Sequence, residues 1–269
     1  MSGVIKIMIF LLGGILRAEK NCPLITPPIA MNINNMNMVC IIGRGSWANR
    51  LLARFVAEGR SVTLLNPREE IIDVSAYEEV IVCVPAYCVD EVLEKVHWGE
   101  GKKIVTSCVK GLANTGETVC SYLNRKLKDF LHAPVNFLGG ANINDGREIV
   151  EISQDYQLEL ACILKNVYAV GFGSALNQGE NFASHELAQY LIEYKKLGIA
   201  EKYWADLLVT CYSDKSRNKT FGRKFSAQEQ YDEKTIEGLN TAKIIEKHDL
   251  FSDLEKLRAI TRNIWAKRE

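Results

Sequence analysis

From residue 38 onward, apolar residues arrive in short unbroken runs, each followed by a turn and a spaced helical pattern. Met38-Val39-Cys40-Ile41-Ile42 is continuous, as a parallel strand buried on both faces requires. Ala48, Leu51, Leu52, Phe55 and Val56 then fall on one helical face until Gly59 ends it. Residues 61–65 predict a second strand closed by Asn66-Pro67, and residues 80–84 a third closed by Pro85. Val89, Val92, Leu93 and Val96 mark the helix behind it, residues 103–108 a fourth strand and residues 134–138 a fifth. Strands alternating with helices predict an α/β fold, a doubly wound parallel sheet with right-handed crossovers.

Beyond residue 155 the apolar period changes to 3.6. Leu158, Ala161, Cys162, Val167, Ala169 and Val170 predict one helix that ends near Gly171-Phe172-Gly173. Further helices are expected over 181–197, 235–247 and 250–265. The expected organisation is a dinucleotide-binding domain over 36–154 and an all-helical C-terminal substrate domain over 155–269, with the ligand in the cleft between them. Residues 1–35 stand apart. Val4 to Leu16 is apolar except for Lys6, then charges and Pro23, Pro27 and Pro28 follow. That run is shorter than the ~20 residues of a membrane span. The basic start and small-residue cleavage site of a signal peptide are not clear in it either. It is read as an extension outside the fold, with a misplaced start, a targeting segment or a membrane anchor as the alternatives.

Composition narrows the function. Thirty-three Lys+Arg balance thirty-three Asp+Glu, so no net field favours nucleic acid. No stable membrane insertion is expected either. The eight cysteines form no CxxC pair and have no histidine at ligand spacing. Reduced thiols, a cytoplasmic protein and no metal site are the expectation.

The chemistry sits in a few short motifs. Gly43-Arg44-Gly45-Ser46-Trp47-Ala48 follows the first strand and opens a helix. This is the dinucleotide fingerprint: Gly43 makes the tight turn, Gly45 admits a pyrophosphate, and Ala48 keeps helix and sheet close. No acid follows the second strand to take a ribose 2′-hydroxyl; Asn66 and Arg68 stand there instead, which leaves NAD and NADP equally open. Lys165-Asn166 interrupts an apolar helical stretch. Asp206 and Thr210 lie four apart, on one helical face, and Ser216-Arg217-Asn218 offers a planar guanidinium suited to phosphate.

Taken together, these pieces resemble the NAD(P)-dependent glycerol-3-phosphate dehydrogenase family. The resemblance runs in family order through the fingerprint, Val84-Pro85, Val109-Lys110-Gly111-Leu112, Gly139-Gly140-Ala141-Asn142-Ile143 and Leu164-Lys165-Asn166-Val167-Tyr168-Ala169. It continues through Ala205 to Cys211, Ser216-Arg217-Asn218 and Ile236-Glu237-Gly238-Leu239-Asn240-Thr241-Ala242. It implies a Rossmann-type sheet followed by a helical domain, and interconversion of dihydroxyacetone phosphate and sn-glycerol 3-phosphate for glycerophospholipid synthesis. Lys165 resembles the proton donor and acceptor, with Lys110, Asp206 and Thr210 beside it in the catalytic set. Lys110, Gly140, Asn142, Asp206, Ser216, Arg217 and Asn218 fall at substrate positions. Gly43, Gly45, Ser46, Trp47, Ala48, Arg68, Lys110, Asn144, Arg217 and Glu237 fall at cofactor positions. The like charge of Lys110 is expected to lower the proton affinity of Lys165.

The chain departs from the family pattern in places. Tyr203-Trp204 stands where many relatives have glycines, and Val109 where Thr is common. Only 22 residues separate Asn142 from Lys165. Two further readings share the same residues: a two-domain reductase of another small hydroxy or keto substrate, and a non-catalytic nucleotide-binding relative. The expected partners are a small phosphorylated substrate and, in a homodimer, a second copy.

Overall fold

The computed structural model describes residues 38–142, 148–233 and 236–266. The expected extension over 1–35 and the cofactor position Asn144 lie outside the described residues, as do the side chains of Ala141 and Asn142.

Strands β1 (Val39–Ile42), β2 (Val62–Leu65), β4 (Glu79–Val82), β6 (Ile104–Ser107), β7 (Asn136–Asn142) and β8 (Glu148–Ser153) form one sheet in the order β2-β1-β4-β6-β7-β8. All neighbours are parallel except β7 and β8. β1 is buried throughout because its side chains alternate between two apolar layers. Cys40 and Ile42 face the large core. Val39 and Ile41 face a smaller one, closed by Ala48, Leu51 and Phe55 of helix α1 (Ser46–Ala57). The sheet is Rossmann-like. The chain leaves β1 for β2 on one side and returns to β4 on the other, so a switch point opens at the carboxyl ends of β1 and β4.

Between β2 and β4 the chain forms no helix, only the two-residue β3 (Ile72–Asp73), which pairs with β5 (Val96–His97) in a separate small sheet. Helices α2 (Val89–Glu94) and α3 (Val119–Lys126) complete the crossovers. β8 was not expected, because Glu148-Ile149-Val150-Glu151-Ile152-Ser153 does not alternate apolar with polar residues.

The helical region is built around α4 (Tyr156–Leu176), which is buried on every side. It packs against β7 and against α5 (Glu180–Lys196), α6 (Trp204–Tyr212), α7 (Arg217–Ser226), α8 (Glu237–Lys247) and α9 (Glu255–Ala266). The expected end at Gly171-Phe172-Gly173 is a correction: the helix runs on to Leu176. A Cβ on Gly173 would lie 2.0 Å from the Lys219 carbonyl, and one on Gly222 1.9 Å from the Val170 carbonyl. These glycines let α4 and α7 cross backbone to backbone, so they mark a packing contact and no C-cap. The same region is pinned by Glu193, whose carboxylate accepts from Tyr168 Oη at 2.7 Å and from the Lys256 and Leu257 amides at 2.6 and 3.0 Å.

Candidate active site and nucleotide cavity

The carboxyl ends of β1, β2 and β4 surround a cavity of about 520 Å³. The Gly43 amide bonds to the Leu65 carbonyl at 3.0 Å, and a Cβ at Gly43 would lie 2.3 Å from the Cys83 carbonyl. The turn therefore admits only glycine, as the fingerprint expects. Gly45 meets nothing within 4 Å, so no protein neighbour demands its missing side chain. It begins α1 without a side-chain cap, leaving the first amides of the helix unbonded beside the cavity. Ala48 is fully buried against the sheet. Ser46 is exposed at the helix start, and Arg44 and Arg68 both line the cavity. An open glycine, uncapped amides and a cavity at the switch point fit a dinucleotide.

The second cluster joins β6, β7, α4 and α6. Lys165, 5% exposed, donates from Nζ to Asp206 Oδ1 at 2.5 Å, and Asp206 is itself 6% exposed. The Cys162 thiol donates to Asp206 Oδ2 at 3.5 Å. Lys110, half-buried after β6, reaches the Gly140 carbonyl at 3.4 Å and lies 5.7 Å from the centre of the Trp47 ring. Two lysines, one carboxylate and the Gly140 carbonyl thus come together from four segments. The buried Trp47 Nε1–H faces the Cys108 thiol and makes no other hydrogen bond among the described residues.

Electrostatics corrects one expectation. Burial works against the charge on Lys165, but the Asp206 carboxylate outweighs it, and the proton affinity of Lys165 is raised. It is Lys110 whose proton affinity is lowered, by burial first and by the charge of Lys165 second. The ion pair decides the sign, because Asp206 sits at contact distance from Lys165.

Thr210 lies on α6 as expected, but its hydroxyl donates to the Asp206 carbonyl at 2.6 Å, one turn back in its own helix. Ser216 caps α7, with Oγ accepting from the Lys219 amide at 3.3 Å. Arg217, the first residue of α7, is exposed, and its charge acts on Glu237 at the start of α8. Burial pushes the Glu237 carboxyl up to about 7, with Arg217 working against the rise. Glu237 Oε2 and the nearby Thr241 hydroxyl are buried without partners.

One residue gained no role from the sequence. Asn166 donates from Nδ2 to the Lys110 carbonyl at 3.3 Å and accepts at Oδ1 from Asn218 Nδ2 at 3.0 Å. Asn218 Oδ1 in turn accepts from the Gly238 amide at 2.9 Å. Two side-chain amides therefore fasten the loop bearing Lys110 to the starts of α7 and α8. A polar residue beside Lys165 in an apolar stretch was the available signal.

Comparison with known proteins follows the same outline. Residues 156–258 match the family described as NAD-dependent glycerol-3-phosphate dehydrogenase C-terminus. A glycerol-3-phosphate dehydrogenase (NAD(P)+) of Alcanivorax borkumensis is 27% identical over 237 aligned positions, taking in 69% of this chain and 67% of that protein. One of Rickettsia prowazekii is 25% identical, over 73% of this chain and 78% of its own. One of Mycobacterium avium is 36% identical over 105 residues, about a third of each chain. The crystal structure of glycerol-3-phosphate dehydrogenase from Coxiella burnetii superposes with a TM-score of 0.63 at 19% identity, over 85% of this chain and 98% of that one. That likeness is one of fold.

Proposed function

Because the chain belongs to the NAD(P)-dependent glycerol-3-phosphate dehydrogenase family, we propose that it interconverts dihydroxyacetone phosphate and sn-glycerol 3-phosphate, the backbone precursor of glycerophospholipids. The observation that carries this reading is the Lys165–Asp206 pair, 2.5 Å long and buried between two helices beside Lys110. A fold alone has no use for two lysines and one carboxylate in that position, since buried charge costs stability unless function repays it.

Residues of the Gly43–Ala48 turn, with Arg68, would hold the dinucleotide, and Lys110, Arg217 and Glu237 would border it. When bound, the nicotinamide supplies or accepts the hydride at C2 of the substrate. Lys165, held protonated by Asp206, gives its Nζ proton to the C2 oxygen as negative charge develops there. Lys110, close by and of like charge, stabilises the same oxygen electrostatically. In the reverse direction neutral Lys165 takes the proton from the C2 hydroxyl. Asp206 orients Lys165 in both directions, with the Cys162 thiol steadying its second oxygen. Arg217 and Asn218 bind the phosphate, whose binding energy aligns the carbonyl with Lys165. Gly140 and Asn142 border the substrate from β7.

Among the described residues no helix is long and apolar enough to cross a membrane. All seven described cysteines are free, as in an enzyme of a reducing compartment, and we take the cytoplasm as its place of action. A homodimer is compatible with the reading.

The test is phosphate selectivity. Arg217→Ala should raise the KM for dihydroxyacetone phosphate roughly tenfold to a hundredfold, the loss of a charge-assisted contact. The weak reduction of unphosphorylated dihydroxyacetone should not change. Equal loss on both compounds would assign Arg217 elsewhere and remove the phosphate from the reading.

A further inference from the structure

Cys83 and Cys108 stand side by side at the carboxyl edge of the sheet. Each lies one residue past the end of its strand, β4 and β6, which run parallel with Val82 opposite Ser107. The ladder continues one step further, because the Cys108 amide donates to the Val82 carbonyl at 2.9 Å. Neighbouring strands lie ~4.8 Å apart, within the roughly 4.4–6.8 Å between Cα atoms that a disulfide bridges. Both side chains pack on the smaller core with Trp47, and their thiols are close enough to hydrogen-bond. Both thiols are free. Cys108 is 6% exposed, whereas Cys83 is half-buried and lines the nucleotide cavity. One sulfur is reachable from the cavity, and the other is its buried neighbour.

Cys83 is also the residue on which the glycine turn leans. Its amide donates to the Ile42 carbonyl at 3.0 Å, and a Cβ at Gly43 would lie 2.3 Å from its carbonyl. Because β4 lies between β1 and β6, drawing Cys83 toward Cys108 draws it away from Gly43. Cys108 in turn faces the Trp47 indole and precedes Lys110 by two residues, so a bond between the sulfurs acts on both parts of the site. The contact with Cys83 first, and burial second, raise the proton affinity of Cys108. Cys108 therefore stays a thiol until its neighbour reacts, and the first attack falls to Cys83.

We propose that Cys83 and Cys108 form a reversible disulfide that switches off dinucleotide binding when a peroxide reaches the cavity. The inference rests on the dinucleotide reading of that cavity. The Cys83 sulfur attacks one oxygen of hydrogen peroxide, the O–O bond breaks, and a sulfenic acid and one water result. The Cys108 sulfur then attacks the Cys83 sulfur. The S–S bond forms, the S–O bond breaks, and the hydroxyl leaves with the Cys108 proton as a second water. Two thiols lose two electrons in all, and the peroxide gains them. A dithiol returns the electrons and restores the cavity. Transient bridges of this kind are the ones a reducing compartment permits. A bound dinucleotide covers Cys83 and protects it.

The test reads the bond and the binding separately. The reduced parent chain, Cys83→Ala and Cys108→Ala are treated with hydrogen peroxide, remaining thiols are blocked, and linked peptides are identified by mass spectrometry. Binding of NADPH and NADH is followed by their fluorescence before treatment, after it, and again after dithiothreitol. The parent should gain a Cys83–Cys108 link, and more slowly when saturated with dinucleotide. Its affinity should fall at least ~10-fold, in the range of coupling between two sites, and recover with dithiothreitol. Each variant, compared with its own reduced form, should gain no such link and stay within about twofold. A link that leaves affinity unchanged, or an equal loss of affinity in the parent and both variants, overturns the switch. A reduced parent that binds dinucleotide but forms no link overturns the switch alone. A reduced, folded parent that binds neither dinucleotide removes the nucleotide reading of the cavity, and the switch with it.

Discussion

Lys165 and Asp206 meet at 2.5 Å, each almost fully removed from solvent, although they stand 41 positions apart in the chain. The pair joins the middle of α4 to the first turn of α6, and its two charges depend on one another. Asp206→Asn leaves the Lys165 ammonium buried without a counter-charge, which should destabilise the chain by about 3–5 kcal/mol and lower the melting temperature accordingly. Removing both charges, as Lys165→Met with Asp206→Leu, should restore most of that loss while leaving the enzyme inactive. Thermal unfolding of the two variants separates the structural share of the pair from the catalytic one.

The sign of the Lys165 shift predicts opposite pH behaviour in the two reaction directions. A lysine whose proton affinity is raised above the ordinary 10.5 is already charged at neutral pH and ready to donate. The rate of dihydroxyacetone phosphate reduction should therefore be nearly flat from pH 6 to 9 with respect to this group. Glycerol 3-phosphate oxidation needs the neutral amine, so its rate should climb about tenfold per pH unit in the same window. pH profiles of both directions decide this. A flat oxidation profile would assign the proton to another group.

Glu237 predicts a stability that falls as pH rises. Its folded carboxyl titrates at about 7, above the ~4.3 of an unfolded glutamate, because it is buried at the start of α8. The folded state thus binds more protons than the unfolded one between those values, and stability declines across that window. The loss is complete roughly one unit above the folded value of about 7, and is on the order of 3 kcal/mol. Glu237→Gln should remove this decline, so its melting temperature should change less between pH 5 and 8 than that of the parent. Arg217→Ala should steepen it, because the guanidinium works against the rise.

The crossing of α4 and α7 leaves no room for a methyl group. Gly173→Ala would bring a Cβ to 2.0 Å from the Lys219 carbonyl, and Gly222→Ala one to 1.9 Å from that of Val170. Each should cost ~3 kcal/mol or more, since neither obstacle is a flexible side chain. α7 also begins with Arg217 and Asn218, so these variants should weaken substrate binding even where they fold. Denaturant unfolding together with KM measures both effects.

How much could be read from the sequence follows from how local each feature is. β1, its glycine turn and α1 form a contiguous unit whose pattern lies wholly in consecutive residues, and residues 38–57 announced it unaided. β8 was missed because its six residues do not alternate apolar with polar and lead directly into a stretch of helical period. Gly171 and Gly173 misled for the opposite reason. A glycine can end a helix or admit a close neighbour, here the Ile260 side chain at Gly171 and the Lys219 backbone at Gly173, and only the neighbour distinguishes these roles.

The site shows the same division. Residue types at Lys110, Lys165 and Asp206 carried the chemistry, but the balance of charge needed geometry. The lysine that loses proton affinity is Lys110, because Asp206 lies against Lys165. The amide link from Lys110 through Asn166 to Asn218 had no sequence signal beyond a polar residue in an apolar run, since it joins parts of the chain more than 50 residues apart.

The central claim is that Lys165 moves the proton in a dehydrogenase reaction. Its most direct test follows the absorbance of NADPH and of NADH with dihydroxyacetone phosphate, for the parent chain and for Lys165→Ala checked to be folded and to bind dinucleotide. The account predicts substrate-dependent oxidation by the parent and a loss of roughly a hundredfold to ten-thousandfold in kcat for the variant. A folded, dinucleotide-binding parent that leaves the absorbance unchanged, or a variant as fast as the parent, would contradict it.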